Sequence, residues 1–291
     1  MSDYLVRATA FEGRARLFAV RSTDTVEEMR RRHGLYPTAA AAVGRTATAG
    51  LIMGAMLKGE EKLTIQVRGN GPIGQIVVDA NAKGEVRGYA DNPHTHLPSN
   101  AAGKLDVAGA VGTEGFIYVI KDLGMKEPYR GSVPIVSGEL AEDFTYYFAK
   151  SEQTPSAVSL GVLVDTDNSI LNAGGFIIQL LPGLSDEDID EIERRVTKIP
   201  PVTTMLERGL SPEDIIKELV DVPSSMERMD VRFQCFCSQE RVEQTLVSLG
   251  RGEIRSMIET EGQAEVICHF CNEAYRFDRP QLESLEERMG G

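Results

Sequence analysis

Four cysteines carry the most obvious chemical potential in this chain, and all of them lie near its C-terminal end. The stretch FQCFCSQE holds Cys235 and Cys237, one residue apart. After thirty residues VICHFCNEA holds Cys268 and Cys271, two residues apart. Structural zinc takes four ligands at tetrahedral corners, commonly four thiolates. Two close pairs brought together by a fold meet that need while ordering little chain. Cys235, Cys237, Cys268 and Cys271 are therefore a candidate four-sulfur metal site. His269 lies inside the second pair, but four sulfurs complete the shell, so it is read as a non-ligand.

Two roles fit such a site. The first is a permanent staple for a domain of roughly sixty residues, a size that leans on metals for stability. The second is a redox switch. Within each pair the sulfurs are close enough in sequence to form a disulfide, and a metal holds thiols in the deprotonated form that oxidants attack. Structural zinc contributes on the order of 10–16 kcal/mol, whereas a whole domain is stable by only about 5–15 kcal/mol. Loss of the ion should therefore unfold the small domain, and a linker docked against it would lose support.

The elements that must position these thiols begin far upstream. YLVRATAFEGRARLFAV reads as two strands about a turn at Glu12-Gly13, and TVEEMRRRHG as a helix stopped by Gly34. Residues 37–58 read as a longer helix; it is Ala/Gly-rich and contains Arg45, which suits a buried packing segment better than a membrane span. Strands are expected at 63–69, 74–80, 85–90, 116–123 and 132–138, a helix at 139–151, and a hairpin at 156–183 turning near Asp167-Asn168. Several connections are too short for a crossover helix, which favours an antiparallel or mixed sheet. Beyond Pro182-Gly183 come short helices: 185–199 with Ser185 as cap, 205–209, and 211–220 with Ser211 as cap and Pro212 first in the helix. Residues 184–231 hold thirteen Asp/Glu against six Lys/Arg, so most of the chain's acidity is concentrated there. Such helices are marginal alone and need a surface to dock on. The expected fold is α+β: an N-terminal sheet domain with packed helices (1–183), a helical linker (184–231) and a small C-terminal zinc-binding domain (232–291).

A formal net charge of −13 argues against a nucleic-acid partner held by general electrostatics. The N-terminus lacks a basic stretch followed by an apolar run, so neither a secretory signal nor a membrane span is expected, and a cytoplasmic location follows as the default. In a reducing compartment, clustered cysteines point to metal or redox chemistry. Gly69-x-Gly71-x-x-Gly74 copies a dinucleotide fingerprint, but Pro72 and the strand-like IVVDA follow it where a helix is required. His94 and His96 lie in the polar loop DNPHTHLPSN with no carboxylate or cysteine at ligand spacing, and His33 reads as a helix-end partner. Glu142-Asp143 reads as a solvated helix face. No nucleophile elbow, Walker loop or HExxH is present, so enzymatic activity is not expected.

Cys235-x-Cys237 with Cys268-His269-Phe270-Cys271, and the stretches RGNGPIGQIVVDAN and SGELAEDFTYYFAKSEQTPSAVSLGV, resemble the redox-regulated 33 kDa heat-shock chaperonin family of bacteria. The likeness extends over nearly the whole chain and shows no departure at the four cysteines. It implies an ATP-independent holdase that protects unfolding proteins from aggregation during oxidative and heat stress. In the family's reduced, inactive form one zinc ion per chain sits on Cys235, Cys237, Cys268 and Cys271. Oxidation joins Cys235 to Cys237 and Cys268 to Cys271, zinc is released, the linker loosens, and apolar surface becomes available to unfolded client proteins. The resemblance also implies a homodimer, at least when oxidised. The residues by themselves leave open a second reading, a zinc-ribbon module that binds nucleic acid or protein, fused to an α/β domain.

Overall fold

The computed structural model describes residues 2–289, in two compact units that divide between Gln234 and Cys235. In chain order the first unit runs β1 (Tyr4–Ala10), β2 (Ala15–Arg21), α1 (Thr23–His33), α2 (Pro37–Gly54), β3 (Lys62–Gly69), β4 (Gln75–Asn81) and β5 (Glu85–Ala90). It continues through α3 (Val107–Val111), β6 (Gly115–Asp122), β7 (Tyr129–Pro134), α4 (Leu140–Lys150), β8 (Ser156–Val164) and β9 (Ile170–Leu180). The acidic stretch adds α5 (Asp186–Lys198), α6 (Val202–Glu207), α7 (Pro212–Leu219), β10 (Ser225–Asp230) and β11 (Arg232–Phe233).

The strands form two sheets. One has the order β10-β1-β2-β9-β8 and is antiparallel throughout. The other has the order β11-β5-β4-β3-β6-β7 and is antiparallel except where β11 joins β5. The α+β class expected from the short connections is the fold observed.

Helix α2 is packed against strands of both sheets, which explains its composition. Every residue in it is buried except Pro37 and Arg45. Small side chains let the sheets approach: a Cβ on Gly44 would lie 2.6 Å from a Val26 methyl and 2.9 Å from a Val162 methyl. Arg45 Nη1 donates to Glu139 Oε2 at 2.8 Å, so the one charge in this helix is paired. No helix among the described residues is long and apolar enough to cross a membrane.

The second face of the five-stranded sheet is covered by the acidic segment. Val6, Ala8, Leu17, Phe176 and Ile178 from the sheet share one apolar cluster with Ile192 of α5, Val202, Met205 and Leu206 of α6, and Ile215, Ile216 and Leu219 of α7. Ser185 and Ser211 each cap their helix in a reciprocal box with Asp188 and Asp214. α6 lies close because β8 is bare beneath it: a Cβ on Gly161 would fall 2.7 Å from Thr203 Cγ2 and 2.8 Å from Val202 Cγ1. Helix α5 is held least, with Ile192 its only buried residue.

Three local expectations are corrected. Residues 225–230 are a strand pairing with β1, where helices alone were expected in the linker. Arg232–Phe233 pairs with β5, inside the first unit. Asp143 is fully buried, not solvated. Its Oδ1 accepts from the amides of Val136 and Ser137 at 2.8 and 3.1 Å, tying the turn after β7 to α4.

Helix α1 starts without a side-chain cap from Ser22. Asp3, the residue before β1, supplies it, its Oδ2 accepting from Thr25 N at 2.7 Å. The same helix reaches β9 through Glu27, which accepts from Ile170 N at 3.0 Å and from Arg30 at 2.8 and 2.7 Å. The Arg30 hydrogen bonds hold the Glu27 carboxyl below its usual range. Its stabilisation is therefore complete above the ordinary glutamate range and lost as pH falls through the lowered value. Glu27→Gln should cost about 1 kcal/mol near pH 7. In urea unfolding repeated at falling pH, the gap between parent and variant should close.

The second unit comprises α8 (Gln239–Leu249), α9 (Arg251–Thr260), β12 (Gln263–Ile267), β13 (Ala274–Asp278) and α10 (Arg279–Arg288). β12 and β13 form an antiparallel pair. The apolar core is small: Val242, Leu246, Ile254, Ile258, Phe277, Leu282 and Leu285. Glu286 receives Arg251 at 3.0 Å and Glu243 receives Arg288 at 2.9 Å, so ion pairs join α10 to α9 and α8.

Candidate metal and redox centre

Two short segments of the second unit deliver the thiols. Cys235 and Cys237 lie just before α8. Ser238 caps that helix, accepting from Arg241 N at 3.3 Å, and Arg241 Nη1 donates to Phe236 O at 2.6 Å. The Cys-x-Cys stretch is thus fastened to the first turn of α8. Cys268 and Cys271 lie in the connection between β12 and β13. Cys268 N donates to Glu273 O at 2.9 Å and Asn272 N to Cys268 O at 2.8 Å, a tight knuckle. Asn272 closes it with φ of 60°, a left-handed conformation that asparagine tolerates better than most residues.

The fold brings all four sulfurs within 4.8 Å of one another. No disulfide joins them. Across the pairs, Cys235 Sγ lies 3.7 Å from Cys268 Sγ and Cys237 Sγ lies 3.3 Å from Cys271 Sγ. Ligands about 2.3 Å from a tetrahedral ion are separated by roughly 3.8 Å. The donor set and its spacing therefore fit a four-thiolate ion. His269 is not part of the cluster.

Burial sets the electrostatics. Cys271 is 3% exposed, and burial pushes its thiol well above the ordinary range. Burial raises Cys268 too, while hydrogen bonds from the amides of Phe270 and Cys271 pull the other way. The amide of Glu273 does the same for Cys271. Without a cation these thiols favour their protonated form; a bound divalent ion reverses that preference and holds thiolates.

The family model described as Hsp33 protein matches residues 3–278. The chain belongs to the Hsp33 family. It is 57% identical to a 33 kDa chaperonin of Geobacillus sp. (strain WCH70), over 99% of this chain and 98% of that protein. It is also 57% identical to a 33 kDa chaperonin of Bacillus cereus (strain B4264), over 99% and 100% respectively. The crystal structure of a 33 kDa chaperonin from Thermotoga maritima, a heat shock protein 33 homolog, superposes with a TM-score of 0.93 at 37% identity, covering 99% of each chain. Hsp33 membership supports a chaperone function.

The discounted motifs have structural roles. Gly69 ends β3, and the chain passes Gly71 and Gly74 into β4 with no helix following. His96 Nδ1 shares a 3.0 Å hydrogen bond with Thr38, and the His94 ring lies tilted against Tyr36 with centroids 5.0 Å apart. His33 lies in the last turn of α1.

One residue of the centre had not been singled out in the sequence. Tyr275, on β13, donates its hydroxyl to Cys237 Sγ at 3.1 Å. That bond is the main reason its own ionisation lies above the usual tyrosine range. The only hint in the sequence is strand alternation, which puts Tyr275 on the same face as the core residue Phe277.

Cys271→Ser should abolish the site. Outer-shell changes typically cost 10–100-fold in metal affinity, so loss of a buried ligand should exceed about 100-fold. Metal analysis of the dialysed protein should give one ion per parent chain and almost none for the variant.

Proposed function

We propose that this Hsp33-family chain is a redox-regulated, ATP-independent holdase of the bacterial cytoplasm. Cys235, Cys237, Cys268 and Cys271 are at once the ligands of one zinc ion per chain and the thiols that sense oxidation. The observation that carries the reading is the pairing of this cluster with an apolar sheet face shielded only by short helices of an acidic segment. Zinc, when bound, supplies the charge that holds four thiolates together and thereby stabilises a unit with a small core.

Oxidation then proceeds within each near pair. One cysteine sulfur takes oxygen from hydrogen peroxide to become a sulfenic acid, and the first water leaves. The neighbouring thiol attacks that sulfur, the S–S bond forms, and the second water leaves. Each pair gives up two electrons to one peroxide. Cys235–Cys237 and Cys268–Cys271 are the bonds that the resemblance to the Hsp33 family implies. Sulfurs joined in this way no longer hold the ion, and the second unit loses its staple.

The linker, residues 184–231, responds next. The chain passes from α7 through β10 and the two-residue strand β11 directly into Cys235. An unfolded second unit leaves that tether unsupported. Mutual repulsion among the acids and the shallow seat of α5 lower the cost of release. Helices α5–α7 would then expose their own apolar stripes and the sheet residues around Leu17 and Phe176 to unfolded clients, with a homodimer as the active form.

Peroxide with mild heat should release zinc, form the two near-pair disulfides on mass mapping, and switch on suppression of client aggregation. Equal suppression by reduced and oxidised protein, with zinc retained, would refute the switch. A second expectation separates shielding from chemistry. Gly161→Val crowds Thr203 and Val202 beneath α6, so the reduced variant should suppress light scattering by an unfolded client while keeping its zinc. If α6 exchanges its amides faster and the reduced variant stays inactive, the helices are not the shield.

A further inference from the structure

The two cysteine pairs are supported differently. In the Cys268–Cys271 knuckle the backbone curls around the sulfurs, and the amides of Phe270, Cys271 and Glu273 serve as donors. No side-chain substitution removes them directly. Cys-x-Cys is one residue shorter and enters α8 immediately, and Cys237 receives the Tyr275 hydroxyl at 3.1 Å from the far strand of the hairpin. The ring of Tyr275 packs against the core that contains Phe277, so the hydroxyl is carried by a fixed body. Tyr275 pairs with Val266 across the hairpin, and Arg276 with Glu265 beside it, so its position on β13 does not depend on the sulfur contact.

We propose that Tyr275 is a positioning residue of the redox centre, donating to the Cys237 thiolate so that this sulfur is both held on the ion and less available to electrophiles. The inference rests on the four-thiolate metal reading above. Four thiolates around a divalent ion leave two negative charges in excess, and each hydrogen bond to sulfur draws part of that charge away. A donor also lowers the energy of the sulfur lone pair, which weakens its attack on an oxidant. Removing it should speed both metal loss and sulfur attack, with the change centred on Cys237.

The test uses the full chain, reduced and loaded with cobalt(II), whose thiolate charge-transfer band reports on the sulfurs. Tyr275→Phe keeps the ring and removes the hydroxyl. We expect the band to move to lower energy, release to a chelator to quicken by about 10-fold, and alkylation by iodoacetamide, mapped by mass spectrometry, to shift toward Cys237. Val266→Ala disturbs the facing strand without touching a sulfur and should leave the band in place. An unchanged band, release rate and alkylation pattern in a folded Tyr275→Phe protein would overturn the proposal alone. A parent chain that takes up no cobalt would overturn the metal reading and this proposal with it. Equal band shifts in both variants would reduce Tyr275 to a packing residue and overturn the proposal as well.

Discussion

Four sulfurs within 4.8 Å of one another repel strongly as thiolates and pack as an inert cluster when protonated. A divalent ion among them changes both outcomes. It makes the ionised form stable at a place where burial opposes ionisation. It also joins the start of α8 to the β12–β13 knuckle, two segments thirty residues apart. The seven-residue core of the second unit is too small to hold that arrangement comfortably by itself. On the proposed reading, the reactive groups and the structural staple are the same atoms. In the proposed switch, that identity is what would turn a chemical signal into a folding signal.

The first unit is built in layers whose stability is unequal. α2, lined with alanine and glycine, is packed against strands of both sheets and is buried along nearly its whole length. On the opposite face of the five-stranded sheet the helices are short, acidic and, in α5, anchored by a single buried isoleucine. Yet the surface they cover is as apolar as a core. A segment with strong caps and a weak seat can be well formed as helices and still leave its dock at small cost. Tyr4 illustrates the balance: its ring lies beneath Arg228 and its hydroxyl donates to Glu213 at 2.8 Å, so polar contacts complete the apolar seal.

Much of this was legible from residue types. The cysteine spacing identified the candidate site, Ser185 and Ser211 marked helix starts, and Gly34 marked a stop that takes a left-handed φ of 60°. Alternating strands and short connections gave the fold class. What escaped depended on partners distant in sequence. Ser225–Asp230 falls within the expected helical linker and carries only one methionine on each face; it becomes a strand because β1 offers an edge to pair with. Asp143 looks like a surface acid until the amides of the preceding turn are seen to need an acceptor. Asp3 caps a helix that begins twenty residues later. For Tyr275, strand alternation marks the inward face but not the partner, since only the closed hairpin brings its hydroxyl to Cys237.

The proposed switch requires that the ion hold the second unit folded. Amide hydrogen exchange of the reduced full-length chain, followed as metal is withdrawn by a chelator, measures this directly. If the ion is the staple, α8, α9, α10 and the β12–β13 hairpin lose protection together, while α2, β3 and β4 keep theirs. Undiminished protection of the second unit after complete metal removal would contradict it.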